Sequence, residues 1–97
     1  MNYRFLSPAL KELTRAADYY EEQISRLGYE FVQEVESAIK RILKFPFAWH
    51  ILHEPYRQCI LTRFPYSIIY QVKDPDHIII VSVFHLHRKP DSWMQNN

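Results

Sequence analysis

The spacing of apolar positions changes part-way along the chain, and the change separates a helical half from a strand-rich half. Tyr3 to Leu6 alternates and is short, which predicts a first strand. Ser7-Pro8 follows, a helix-capping serine and a proline at the first helical position, where its missing N–H is no loss. Leu10, Leu13, Ala16, Ala17, Tyr20, Ile24 and Leu27 then recur at three- and four-residue intervals, with Lys11, Glu12, Arg15, Asp18 and Glu22 between them. That is the pattern of an amphipathic helix. Gly28 stands where a helix end favours a residue that tolerates a left-handed backbone. Phe31, Val32, Val35, Ala38, Ile39, Ile42 and Leu43 restart the same period until Phe45-Pro46 stops it. So short a connection predicts two antiparallel helices.

Residues 46–55, which include Phe47 and Trp49, have no clean period and read as a loop with an aromatic plug. Beyond Pro55 the chain is rich in Ile, Val, Tyr and Phe. Pro65 and Lys73-Asp74-Pro75-Asp76 divide it into Tyr56 to Phe64, Tyr66 to Val72 and His77 to His85, three strands of an antiparallel meander. In the middle strand Tyr66, Ile68, Tyr70 and Val72 share one face, which is expected to meet the helices. Ser67, Ile69 and Gln71 are expected to form an open surface. The fold class that follows is α+β: an amino-terminal strand completing the sheet, a helical hairpin, and helices packed on one sheet face.

Composition narrows the class further. The 97 residues are 47% hydrophobic and 15% aromatic with one glycine, unlike disordered chains, and one domain spanning residues 1–97 is expected. The single cysteine, Cys59, forms no internal disulfide, and a reducing cytoplasm fits. No stretch approaches a membrane span and no leader-like apolar run opens the chain, so no membrane association is expected. Residues 1–55 carry seven Lys/Arg against eight Asp/Glu, and residues 56–97 five against three. This mild basicity of the second half permits an acidic partner or a phosphate backbone without requiring either.

At this point the chain resembles the RelE/ParE toxins of type II toxin-antitoxin systems. The order of elements matches, as do Leu13 and Ala17-Asp18-Tyr19-Tyr20-Glu21 in the first helix, and Phe31, Glu34-Val35-Glu36 and Ala38-Ile39 in the second. So do Pro46, Arg63-Phe64-Pro65-Tyr66-Ser67-Ile68-Ile69-Tyr70, and His85 with Arg88-Lys89-Pro90 and Trp93. The resemblance implies a cytoplasmic toxin neutralised by a cognate antitoxin in a toxin–antitoxin hetero-oligomer. RelE-like members cut messenger RNA on the ribosome, whereas ParE-like members inhibit DNA gyrase without a catalytic centre of their own. RelE-like nucleases commonly carry an arginine just before the aliphatic pair and tyrosine of the middle strand. Here that position is Ser67, which favours the ParE-like, non-enzymatic branch. An inactive toxin that only binds its antitoxin is a third alternative.

RNA cleavage would need a base, an acid and cations that stabilise the phosphate, and the candidates are Arg57, Arg63, His85, His87 and Arg88. If the chain is a nuclease, Arg63, His85, His87 and Arg88 are the expected set. On one regular strand Arg57 and Arg63 would share a face but stand roughly 20 Å apart, too far to grip one phosphate. His85 and His87 could share a face at the end of the last strand, and a neutral imidazole with pKa near ~6.5 can serve as base or ligand. Two histidines are nevertheless too few for zinc, and His50 and His53 lack an accompanying carboxylate pattern, so neither metal nor cofactor is expected. For a binding protein, Arg57, Arg63, Arg88 and Trp93 are the expected partner contacts, because interface energy concentrates on Trp, Tyr and Arg. Trp93 has an equal reading as a cap on the core edge. Glu21, Glu22, Glu34 and Glu36 read as solvated helix faces.

Overall fold

The helical period is realised as α1 (Ser7–Gln23) and α2 (Leu27–Lys44) in a computed structural model that describes residues 1–96. Ser7 is the first residue of α1 and not its cap. The capping position falls on extended Leu6, which makes no side-chain cap, and Pro8 sits inside the first turn, where no N–H is needed. Among the described residues no helix is long and apolar enough to cross a membrane.

The turn between the helices departs from expectation. Arg26, at φ 72°, and not Gly28, takes the left-handed conformation. Gly28 is buried within the first turn of α2. The Glu21 carboxylate, expected to be solvated, accepts the backbone N–H groups of Arg26 at 2.8 Å and Gly28 at 3.0 Å. It thereby caps the second helix from the end of the first. Glycine is required at 28 for proximity: a Cβ there would collide with the Ala17 carbonyl oxygen and stand 2.9 Å from the Glu21 Cβ.

The sheet has five strands, β1 (Asn2–Phe5), β2 (His50–His53), β3 (Tyr56–Ile60), β4 (Tyr66–Asp74) and β5 (His77–His85), in the order β1-β5-β4-β3-β2. β1 pairs with β5 in parallel and the other neighbours are antiparallel. The α+β class stands, with two corrections to the strands. Residues 50–53, expected to be loop, form β2, an edge strand whose ladder with β3 is irregular between Ile51 and His53. The strand expected to run from Tyr56 to Phe64 ends at Ile60. There Glu34 of α2, also expected to be solvated, accepts the N–H groups of Thr62 at 2.7 Å and Arg63 at 3.0 Å, which turns the chain back towards β4.

Tyr66, Ile68, Tyr70 and Val72 of β4 do meet the helices. They join a core with Phe31, Val35, Ala38, Ile39 and Ile42 of α2 and Ala9 and Ala16 of α1. The Tyr70 hydroxyl donates to the Pro46 carbonyl at 2.7 Å and pins the start of the loop after α2. The opposite face of β4 is not open. Ile69 lies in a second apolar cluster with Ile79, Val81, Phe84 and Trp93, with Leu6, Leu52 and Tyr56 packed against it. The carboxy-terminal segment folds back as a short 3-10 turn, Ser92–Asn96, and lays Trp93 on that face, its ring 5.1 Å from that of Tyr56.

Candidate functional site

The site depends on one extra residue in β5. Ile69 pairs with Ser82 and Tyr70 with Ile80, which leaves Val81 without a partner in the ladder: a β-bulge, which re-aims the side chains beyond it. Before the bulge Ile78 and Ile80 face the helices and Ile79 and Val81 the far layer. After it Val83 faces the helices and Phe84 the far layer. His85, paired with Tyr66, therefore points to the helix side. A strictly alternating strand would have turned it away.

The bulge lies where β1 ends and leaves one edge of β5 bare. Leu6 N–H still reaches the Ile80 carbonyl, at 2.9 Å. Beyond it side chains replace the missing strand. Glu12 of α1 accepts the Val83 N–H at 3.0 Å, the Ser82 hydroxyl at 2.8 Å and the Asn96 amide at 3.2 Å on one oxygen. Arg88 donates to its other oxygen at 3.2 Å. The Asn96 amide also donates to the Val81 carbonyl at 3.0 Å. Glu12 thus ties α1, the bulged strand and the tail together, with its side chain only 12% exposed.

Between α1 and the end of β5 these contacts leave a cleft of about 260 Å³, lined by Glu12, Arg15, Tyr19, Tyr66, His85 and Arg88 among others. The His87 backbone N–H donates to His85 Nδ1 at 3.0 Å. That nitrogen is therefore unprotonated, and neutral His85 carries its proton on Nε2. Burial, followed by the nearby His87 and Arg88, holds the His85 pKa below 6.5. Burial, followed by Tyr20, raises the Tyr66 pKa above 10, so its hydroxyl stays protonated at neutral pH. The Arg15 side chain has no hydrogen bond or ion pair among the described residues.

The sequence-selected residues do not converge. His85 and Arg88 line the cleft, and the exposed His87 stacks edge-on against His85 with ring centres 5.0 Å apart. Arg57 lies on β3, its guanidinium donating to the carbonyls of Phe47 at 3.0 Å and Trp49 at 2.9 Å. It holds the loop that precedes β2. Arg63 lies beyond the end of β3, not on one strand with Arg57, and its guanidinium pairs with Glu30 of α2 at 2.8 Å. Trp93 is buried in the far layer, 4% exposed. Ser67 also faces that layer, paired with Ile60 and Phe84, fully buried, with no partner for its hydroxyl. Among the described residues no group of three or more His, Cys, Asp or Glu is placed to hold a metal ion. Sequence reasoning missed Glu12 and Arg15, whose spacing is that of any polar helix stripe.

The family model for the ParE toxin of the type II toxin-antitoxin system, parDE, matches residues 3–90. The chain belongs to the ParE toxin family. This ParE-family chain is also similar in structure to a solved chain described as the chromosomal ParDE TA system from P. aeruginosa, with a TM-score of 0.77 and 20% sequence identity. The alignment covers 90% of this chain and 97% of that one. At that identity the likeness shows the shared fold. No curated protein matches the chain. The family match includes α1, the β5 bulge, His85 and Arg88, and ends before Trp93 and Asn96.

Proposed function

We propose that residues 1–97 act as one toxin domain in the cytoplasm, held inactive by a cognate antitoxin in a hetero-oligomer, and that the free toxin inhibits DNA gyrase by binding and not by catalysis. The scatter of the cations supports this reading. Arg57 is occupied by loop carbonyls, Arg63 by Glu30 and Arg88 by Glu12, so the set expected of a nuclease is not assembled around one phosphate. Family membership supports the antitoxin, and Arg57, Arg63, Arg88 and Trp93 remain the proposed partner contacts. Trp93 can serve only if the tail lifts. In a supercoiling assay, purified toxin is expected to stop gyrase and antitoxin to restore it. Undiminished supercoiling at excess toxin refutes the choice of target.

One observation favours the nuclease reading: His85, Tyr66 and Arg88 share the cleft. Ribosome-dependent cleavage of messenger RNA would appear as new primer-extension stops in cells expressing the toxin. Under the binding reading none are expected.

A further inference from the structure

We infer that the cleft between α1 and β5 is an anion site that receives a carboxylate side chain from an acidic peptide segment of a partner. A carboxylate offers about four lone-pair sites, and Glu12 already meets four donors, from Ser82, Val83, Asn96 and Arg88. Three of these donors crowd one oxygen, and the Arg15 side chain, which lines the same cleft, bonds to neither oxygen. Two guanidinium groups therefore stand against one carboxylate that is already bonded to four donors. The excess positive charge lies beside the Nε2–H of neutral His85 and the hydroxyl of Tyr66. Nearly everything unspent in the cleft donates hydrogen bonds. Tyr19, 57% exposed, forms part of its wall and gives an incoming peptide an aromatic surface.

A carboxylate suits the site better than a nucleic-acid backbone. Binding a polyphosphate draws its strength from several neutralised phosphates, whereas this cleft has two cations and the whole chain a formal charge of +1. The inference rests on the proposed antitoxin only for the natural source of the segment; the site itself can be tested without it.

The test uses the full chain, observed by NMR at its arginine and histidine side chains. The probes are an acetylated tetraglutamate peptide, the tetraglutamine peptide as a neutral control, and an oligouridylate of matching charge. Tetraglutamate is expected to move the side-chain signals of Arg15, Arg88 and His85 and to raise the His85 titration midpoint, because a nearby anion favours the imidazolium. Tetraglutamine is expected to move none of them. Arg15→Gln is expected to weaken tetraglutamate binding roughly tenfold, the equivalent of one charge-assisted contact. Since Arg15 has no partner to lose, the thermal midpoint should stay unchanged. Signals that move only at arginines or histidines outside the cleft, equal binding by Arg15→Gln, or tighter occupation of the cleft by oligouridylate each overturn the inference. The assay contains neither antitoxin nor gyrase, so it can fail while the toxin reading stands, and succeed where that reading fails.

Discussion

Replacing Glu12 by alanine removes the acceptor for four donors at once, and the loss can be worked through donor by donor. Val83 is 1% exposed and its N–H, at the bare edge of β5, would be left without a partner or water; an orphaned buried donor costs about 1–3 kcal/mol. Ser82 is fully buried, and its hydroxyl loses a charge-assisted bond worth about 1.5 kcal/mol. The Arg88 pair adds less than about 1 kcal/mol, because the arginine is half exposed and returns to water. Asn96 keeps the Val81 carbonyl. The sum is about 2.5–5.5 kcal/mol, a large share of the roughly 5–15 kcal/mol that holds a domain folded. For a chain of this size it corresponds to a fall in Tm on the order of 20 °C. Glu12→Gln keeps one acceptor oxygen and should cost about 1 kcal/mol, so it serves if the alanine variant does not fold. Urea unfolding followed by circular dichroism gives the energies, and hydrogen exchange at the Val83 amide locates the damage. A loss below about 1 kcal/mol in Glu12→Ala, with the Val83 amide exchanging as slowly as before, would refute the role given to Glu12.

Other perturbations read other parts of the molecule. Trp93→Ala should cost about 3 kcal/mol and open the far layer over Ile69 and Phe84, seen as lower urea stability and new binding of a hydrophobic dye. Gly28→Ala should cost about 2 kcal/mol or more by forcing α1 and α2 apart; a Tm equal to that of the parent protein would remove the close-approach argument. His85 should titrate below 6.5 by NMR. Because its folded pKa lies below the unfolded value, its contribution to stability is full above pH 6.5 and declines as pH falls from there through the folded pKa. His85→Gln should flatten that part of the pH–stability curve. Arg57→Ala should free the loop between α2 and β2 at a cost of about 1–2 kcal/mol, with faster exchange in β2.

What the sequence made legible was periodic, and what it concealed depends on contacts between distant residues. The two helices and the helix-facing residues of β4 follow from spacing alone, because burial imposes the spacing. β2 has no such signature: only four residues long and at the sheet edge, it buries no full face and leans on β3 and the loop held by Arg57. The end of β3 was hidden because Glu34, which turns the chain there, lies in α2 and looks like any solvated glutamate. The bulge at Val81 was unreadable for a different reason. In a run of Ile and Val buried on both faces no alternation survives, so a change of phase leaves no trace. The cleft inherits that opacity: its place follows from the bulge, and its anchor, Glu12, from a contact with β5. The far face of β4 looked open because Trp93, which lies in a tail without periodicity, is part of its cover.

The parallel pairing of β1 with β5 also bears on how the toxin is made. Asn2 finds its partner in His77, so β1 waits for β5 before it can pair. Until β5 emerges, Phe5 and Leu6 have no strand to lie beside and Glu12 no Val83 to hold. Chains whose contacts span most of their length fold late and slowly. The cleft, which needs α1, the bulged strand and Arg88 together, comes into being only after β5 and Arg88 have been made. The nascent chain therefore has no such cleft until β5 has been made.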